Sequence, residues 1–231
     1  MGEKTTGLDV GGVFSETADL YWGNFGKLFL LSLILVIPAP LLALVGTGSP
    51  VAIAITVLSF PLDLVMPVWL AGTIVNLVLD VRSGDGENRS IAELLKDTWP
   101  LFWKLSVLAV VTLIPIFLGF GFLIVPGVIL GLMWIVVVPA MVIEGSGAFA
   151  SMGRSSGLTR YRWGQMVPIG AVIFLGELLL LGLGFLVSSP WVATAVIVAA
   201  EAVLYPYMAI IITVLYFHLT RSEVPVQPIE Q

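Results

Sequence analysis

Residues 102–145 read FWKLSVLAVVTLIPIFLGFGFLIVPGVILGLMWIVVVPAMVIEG, and from Leu105 through Ile143 they hold no Asp, Glu, Lys or Arg. One membrane crossing needs about 20 apolar residues, so the stretch is long enough for two. Val125-Pro126-Gly127 stands in its middle, and Pro-Gly punctuates a chain rather than continuing a helix. The stretch therefore predicts a helical hairpin, with spans at 101–122 and 125–143. Its flanking charges, Lys104 and Glu144, fall on the same side of the bilayer.

The pattern repeats on either side. Spans are expected at 27–46 and 54–80 around Gly46-Thr47-Gly48-Ser49-Pro50, and at 164–187 and 191–218 around Ser188-Ser189-Pro190. Residues 81–98 and 144–163 form the longer, charged connections. Threaded this way, Lys4, Lys27, Arg82, Arg89, Lys96, Lys104, Arg154, Arg160, Arg162 and Arg221, which are all ten cations of the chain, lie on one face. Lys and Arg near helix ends are retained in the cytoplasm, so both termini are expected there, in a multi-pass protein of the cell membrane. Composition agrees: 58% of residues are hydrophobic and 11% charged, with a mean hydropathy of +1.07. Soluble domains carry about 25% charged residues, and so few charges could not cover a water-soluble surface. The expected class is all-α: one polytopic membrane domain, residues 1–231, built as a six-helix bundle.

Several chemistries are excluded or restricted. There is no cysteine, so disulfides, thiolate catalysis and Cys-ligated metals are out. His218 is the one histidine, which rules out a multi-His metal site within one chain. No basic stripe with interleaved aromatics marks a nucleic-acid surface. No cofactor is expected. The expected partner is the lipid bilayer; a protein partner within the membrane and the oligomeric state are left open.

Two segments beside the spans read as amphipathic helices lying in the interface. In the first, Val10, Phe14, Tyr21, Trp22 and Phe25 recur at roughly helical spacing, with Glu16 and Asp19 elsewhere on the wheel. In the second, Ser90-Ile91-Ala92-Glu93 is a capping box, followed by the apolar stripe Ile91, Leu94 and Leu95. The two segments also echo each other. A shift of 77 residues places Glu16 on Glu93, Trp22 on Trp99, Lys27 on Lys104 and Pro38 on Pro115. A third unit, from Arg154 to Trp163 and then two spans, has the same layout with little identity. The chain thus reads as same-orientation repeats of an interfacial helix and a hairpin.

Asp63, Glu177 and Glu201 are buried by this topology. Each lies some ten to fourteen residues from its nearest uncharged turn, roughly 15–20 Å deep at 1.5 Å per residue. No Lys or Arg shares that depth. Unpaired acids in a span mark a proton or cation site when they face the bundle interior. The bland alternative is three neutral acids hydrogen-bonded to backbone freed by Pro61, Pro67, Pro168 or Pro206. Gly127-Val128-Ile129-Leu130-Gly131 is a GxxxG pattern, which permits close approach of helices and weakly suggests dimerisation.

The segment Pro126-Gly127, Pro139, Glu144, Ala148-Phe149-Ala150, Arg154-Ser155, Leu158-Thr159 and Trp163 resembles a known pattern. So does the ending Leu215-Tyr216-Phe217-His218-Leu219-Thr220-Arg221. Both resemble the membrane domain associated with glycerophosphoryl diester phosphodiesterases and related six-span bacterial and archaeal proteins. The resemblance implies a non-enzymatic anchoring or accessory domain, the phosphodiesterase barrel itself being a separate soluble unit. On the residues, Glu144 and Arg154 are expected to pair and pin the loop, with Arg160 and Arg162 facing lipid phosphates. The alternative function is a small proton- or cation-coupled transporter using Asp63, Glu177 and Glu201. An intramembrane enzyme is disfavoured, because no positioned nucleophile and base are evident.

Overall fold

The computed structural model describes residues 8–46, 52–84 and 89–221. The turn 47–50 and Lys4 lie outside the described residues. Among the described residues eleven helices follow in order: α1 Val10–Gly23, α2 Phe25–Val36, α3 Pro38–Gly46, α4 Ala52–Ser83, α5 Ile91–Thr98, α6 Phe102–Phe122, α7 Ile124–Met133, α8 Val137–Glu144, α9 Ala148–Thr159, α10 Trp163–Leu186 and α11 Pro190–Arg221. A 3₁₀ turn, Trp99–Leu101, joins α5 to α6. Six helical stretches are long and apolar enough to cross a membrane, and they correspond to the six expected spans. The protein is an all-α, multi-pass membrane bundle. Among the described residues, every Lys and Arg sits near one end of it, called here the charged end.

Local chemistry sets the helix limits. The Asp9 carboxylate accepts from the Gly12 N–H at 2.9 Å and starts α1. Ser90 and Glu93 form the expected capping box of α5, each side chain accepting from the other's backbone N–H. Gly145 ends α8 with φ at +65°, a conformation that a Cβ would disfavour.

Two spans are interrupted. The first divides at Ile37 into α2 and α3, where Pro38 lacks the N–H that would continue the helical ladder. The fourth breaks over Trp134–Val136, and here the hydrogen bonds explain the break. The Val137 N–H donates to Trp134 O rather than to Met133 O, which leaves the Met133 carbonyl without a helical partner. A hydroxyl of α9 takes its place: Ser155 Oγ donates to Met133 O at 2.8 Å, while Thr159 Oγ1 lies 3.3 Å from that oxygen and 3.0 Å from the Ser155 carbonyl. Irregular backbone in a membrane protein is tolerated where neighbours satisfy it in this way.

The helices form three units, each an amphipathic helix followed by a hairpin: α1 with α2–α4, α5 with α6–α8, and α9 with α10–α11. Their contacts are cyclic. The second arms α4, α8 and α11 touch one another at the centre. The amphipathic helix and first arm of each unit pack on the second arm of the unit before it. Thus α5 and α6 lie on α4, α9 lies on α8, and α10 meets α7; α1 and α2 close the ring on α11. Units in one orientation close by rotation about an axis along the helices, unlike inverted repeats, whose axis lies in the membrane plane.

This packing shows which way the amphipathic helices turn. Their apolar stripes face the bundle rather than lipid. Tyr21 and Leu94 are buried, and Val10, Phe14, Phe25, Ile91 and Leu95 pack partly buried against the same core. Of the two stripes only Trp22 stands out, 71% exposed. With Trp99 and Trp103, also exposed, it forms a belt suited to the bilayer boundary. Of the GxxxG pair, Gly127 makes a close approach of helices within one chain. Gly127 is spent inside the second hairpin, where an added Cβ would meet the Phe120 ring at 2.5 Å, and Gly119 lies against the Gly127 backbone.

Candidate functional site

Two polar regions stand out against the apolar bundle. The first lies within the spans. Asp63 comes from α4, Glu177 from α10, and Glu201 from α11, with Tyr205 one turn further along α11. Glu201 and Tyr205 each lie within electrostatic reach of both Asp63 and Glu177, and the Tyr205 hydroxyl donates to the Glu201 carboxylate. The topology thus gathers three acids that are far apart in sequence. It does not enclose them: Asp63 and Glu177 are exposed on the flank of the bundle, and Glu201 is partly buried. Nor do they converge as ligands, since among the described residues no three His, Cys, Asp or Glu groups are arranged to hold a metal ion. The arrangement suits holding or passing a proton better than chelating a cation. Tyr205 was not singled out in the sequence; its i+4 spacing from Glu201 was the available signal.

The second region is the charged end. Glu16 of α1 receives two donors from different helices. Arg82 of α4 bonds one carboxylate oxygen, and His218 Nε2 of α11 lies 3.0 Å from the other. The Arg82 guanidinium also stacks 4.0 Å above the Phe217 ring. Burial alone would raise the Glu16 carboxyl, but the His218 hydrogen bond and the Arg82 charge outweigh it and hold the group below its ordinary value. Glu16 shares its 77-residue register with Glu93, yet Glu93 caps its own helix. Matching residues therefore do different work in the two units.

Around this centre lie further ties. Arg154 Nε donates to Glu144 Oε1 at 2.7 Å, and the Tyr216 hydroxyl donates to the same oxygen at 2.7 Å. Arg89 bridges Asp80 at 3.1 Å and Asp97 at 2.9 Å, while Lys27 Nζ donates to the Arg89 carbonyl. Arg160 is exposed beside the Tyr161 ring, which is 87% exposed, and Arg162 is partly buried. His218 is not joined to a nucleophile from the uncharged turn 188–190: Ser188 and Ser189 precede α11, whereas His218 is near its far end.

No protein-family model, no curated protein and no solved structure matches this chain.

Proposed function

We propose that the chain is a non-enzymatic anchoring or accessory protein of the cell membrane, with its charged end in the cytoplasm. The observation that carries this reading is how the charged end uses its polar groups. Glu16, Arg82, Arg89, Asp80, Glu144, Arg154 and Tyr216 tie helix to helix, which stiffens a platform rather than assembling a nucleophile, base and oxyanion donors. The residues that resemble the phosphodiesterase-associated membrane domain favour the same role, with a lipid-active enzyme as the class of protein anchored. Arg160, exposed next to Tyr161, is the residue best placed to meet lipid phosphate; such contacts are worth about 1 kcal/mol each. Isolation in mild detergent, followed by size exclusion, tests the reading. A defined partner should co-elute, and a chain that always elutes alone from its native membrane counts against it. A fluorescent protein fused after Arg221 should be bright and a periplasmic reporter enzyme there inactive; the opposite outcome reverses the orientation.

The gathering of Asp63, Glu177, Glu201 and Tyr205 favours a second reading, a proton-coupled carrier. The stretches 28–81 and 163–220 hold no Lys or Arg, and Glu201 has both acids and Tyr205 within electrostatic reach. Reconstituted protein carrying Asp63→Asn, Glu177→Gln and Glu201→Gln should lose proton flux. Flux equal to that of the unaltered protein sinks the carrier reading and leaves the first one standing.

A further inference from the structure

The region where the three second arms meet contains a cavity that neither reading of function uses. It measures about 150 Å³ and lies between α4, α6, the junction of α7 with α8, and α11. The interrupted fourth span makes room for it. Helix α7 runs along α6, but past the break α8 leans on α4, α9 and α11. Trp134 and Ile135 of the break line the cavity together with Val68 and Ala71 of α4 and Ile212 of α11.

Its chemistry suits hydrocarbon. The lining is aliphatic apart from the Trp134 ring and the hydroxyls of Thr112 and Thr213. Each hydroxyl already donates within its own helix, Thr112 to Leu108 O at 2.6 Å and Thr213 to Ala209 O at 2.7 Å. A buried water is held by about three hydrogen bonds, so a wall of this composition favours an apolar occupant. A cavity of this volume takes an apolar molecule of about six carbons.

Depth names the source of that hydrocarbon. Along α6, Thr112 and Ile116 stand eight and twelve residues from Lys104; along α11, Thr213 and Ala209 stand eight and twelve from Arg221. At 1.5 Å per residue these positions lie about 12–18 Å from the charged end. The hydrocarbon core of a bilayer is about 30 Å thick, so the cavity straddles the midplane, where lipid chains end and headgroups do not reach. The cavity is not sealed, and at this depth its opening meets lipid rather than water. We propose that this cavity binds the methyl end of a bilayer lipid's acyl chain. The gain is in packing rather than in transfer from water. A chain end leaves one hydrocarbon surrounding for another, but in the cavity it meets protein atoms on several sides. Bound there, it braces α4, α6, α8 and α11 where the break sets α8 apart from α6. The inference stands whether the protein is an anchor or a carrier.

The test uses the full chain in nanodiscs containing a phospholipid with a photoreactive diazirine at the methyl end of one chain. After illumination, mass mapping should find label on the buried wall, at Thr112, Ala209 or Thr213, as well as on the exposed Phe117 and Leu118 of α6. The same lipid with its diazirine beside the ester should leave the buried wall unlabelled. Ala71→Phe brings in a ring of the size the cavity holds, and should lower labelling of the buried wall about tenfold while that of Phe117 persists. Ala71→Leu, a smaller addition for use if the ring impairs folding, should lower it about threefold. Label confined to Phe117 and Leu118 in the otherwise native chain overturns the proposal. So does buried-wall labelling that is undiminished in a folded Ala71 variant, or equal for the two diazirine positions.

Discussion

Tyr21 illustrates how much one side chain decides here. It is buried, it stacks edge-on with Trp22, Phe25 and Tyr207, and its hydroxyl reaches the Val203 carbonyl. Burial holds its phenol above the ordinary value, so it remains a donor throughout the physiological range. Tyr21→Phe keeps the ring and removes only the hydrogen bond. It should cost about 1 kcal/mol in reversible unfolding, and a smaller loss than that of Tyr21→Ala is expected in the same assay. Glu16 makes a separate prediction in acid. Its carboxyl is held below the ordinary value in the folded state, so its contribution is present above the ordinary carboxylate range and lost as pH falls beneath it. A nitroxide label at Ser15→Cys, on the exposed side of α1, should become mobile as pH falls below the ordinary carboxylate range. Glu16→Gln should remove that step, and a step that persists in the variant would assign it to another acid. The sequence placed Glu16 off the apolar stripe but gave no sign of its partners. Arg82 is 66 positions away and His218 is 202 away, and only packing brings such distances to hydrogen-bond length.

At the scale of the element, the interrupted fourth span depends on a neighbour. Met133 O is satisfied by Ser155 of α9, with the Thr159 hydroxyl beside it, and those hydroxyls have no equivalent within α7 or α8. Ser155→Ala with Thr159→Val should leave a buried carbonyl short of a donor and cost roughly 1–3 kcal/mol on unfolding. Ser156→Ala is the control, because Ser156 bonds its own helix at Met152 O and should cost little. The hairpin of α6 and α7 makes a sharper contrast. Gly127→Leu puts a Cβ into the Phe120 ring and should abolish folded yield, whereas Gly131→Leu, with nothing within 4 Å of its Cβ, should be tolerated. Equal tolerance of both would return the GxxxG pattern to a role between molecules. The breaks were only half legible in sequence. Pro38 announces the first, because it has no N–H to donate one turn back, while Ile37 itself stays helical. The second lies in Trp134-Ile135-Val136, which has no Pro or Gly, and its cause is the hydroxyl pair across the α8–α9 turn.

For the whole molecule, the cyclic packing of three units predicts that the first and third are neighbours. A bismaleimide should link Leu8→Cys to Gln165→Cys, since the Leu8 N–H donates to the Gln165 side chain in the native structure. With a protease site placed at residues 85–88, the two fragments should stay joined after cleavage and denaturation. Separation of the fragments would mean that the ring is open. The spans, their order and the sidedness of the cations were determined by the sequence alone, because bilayer thickness and the cost of buried charge act on each segment independently. Capping by Ser90 and Glu93 was equally local. The repeats were visible through the 77-residue echo, but their closure into a ring was not, because self-similarity carries no information about which faces meet. Tertiary structure alone turned the amphipathic stripes inward, gathered Asp63, Glu177 and Glu201 beside Tyr205, and seated Glu16 between Arg82 and His218. Each of those outcomes depends on contacts between helices far apart in the chain, whose partners are chosen by packing rather than by composition.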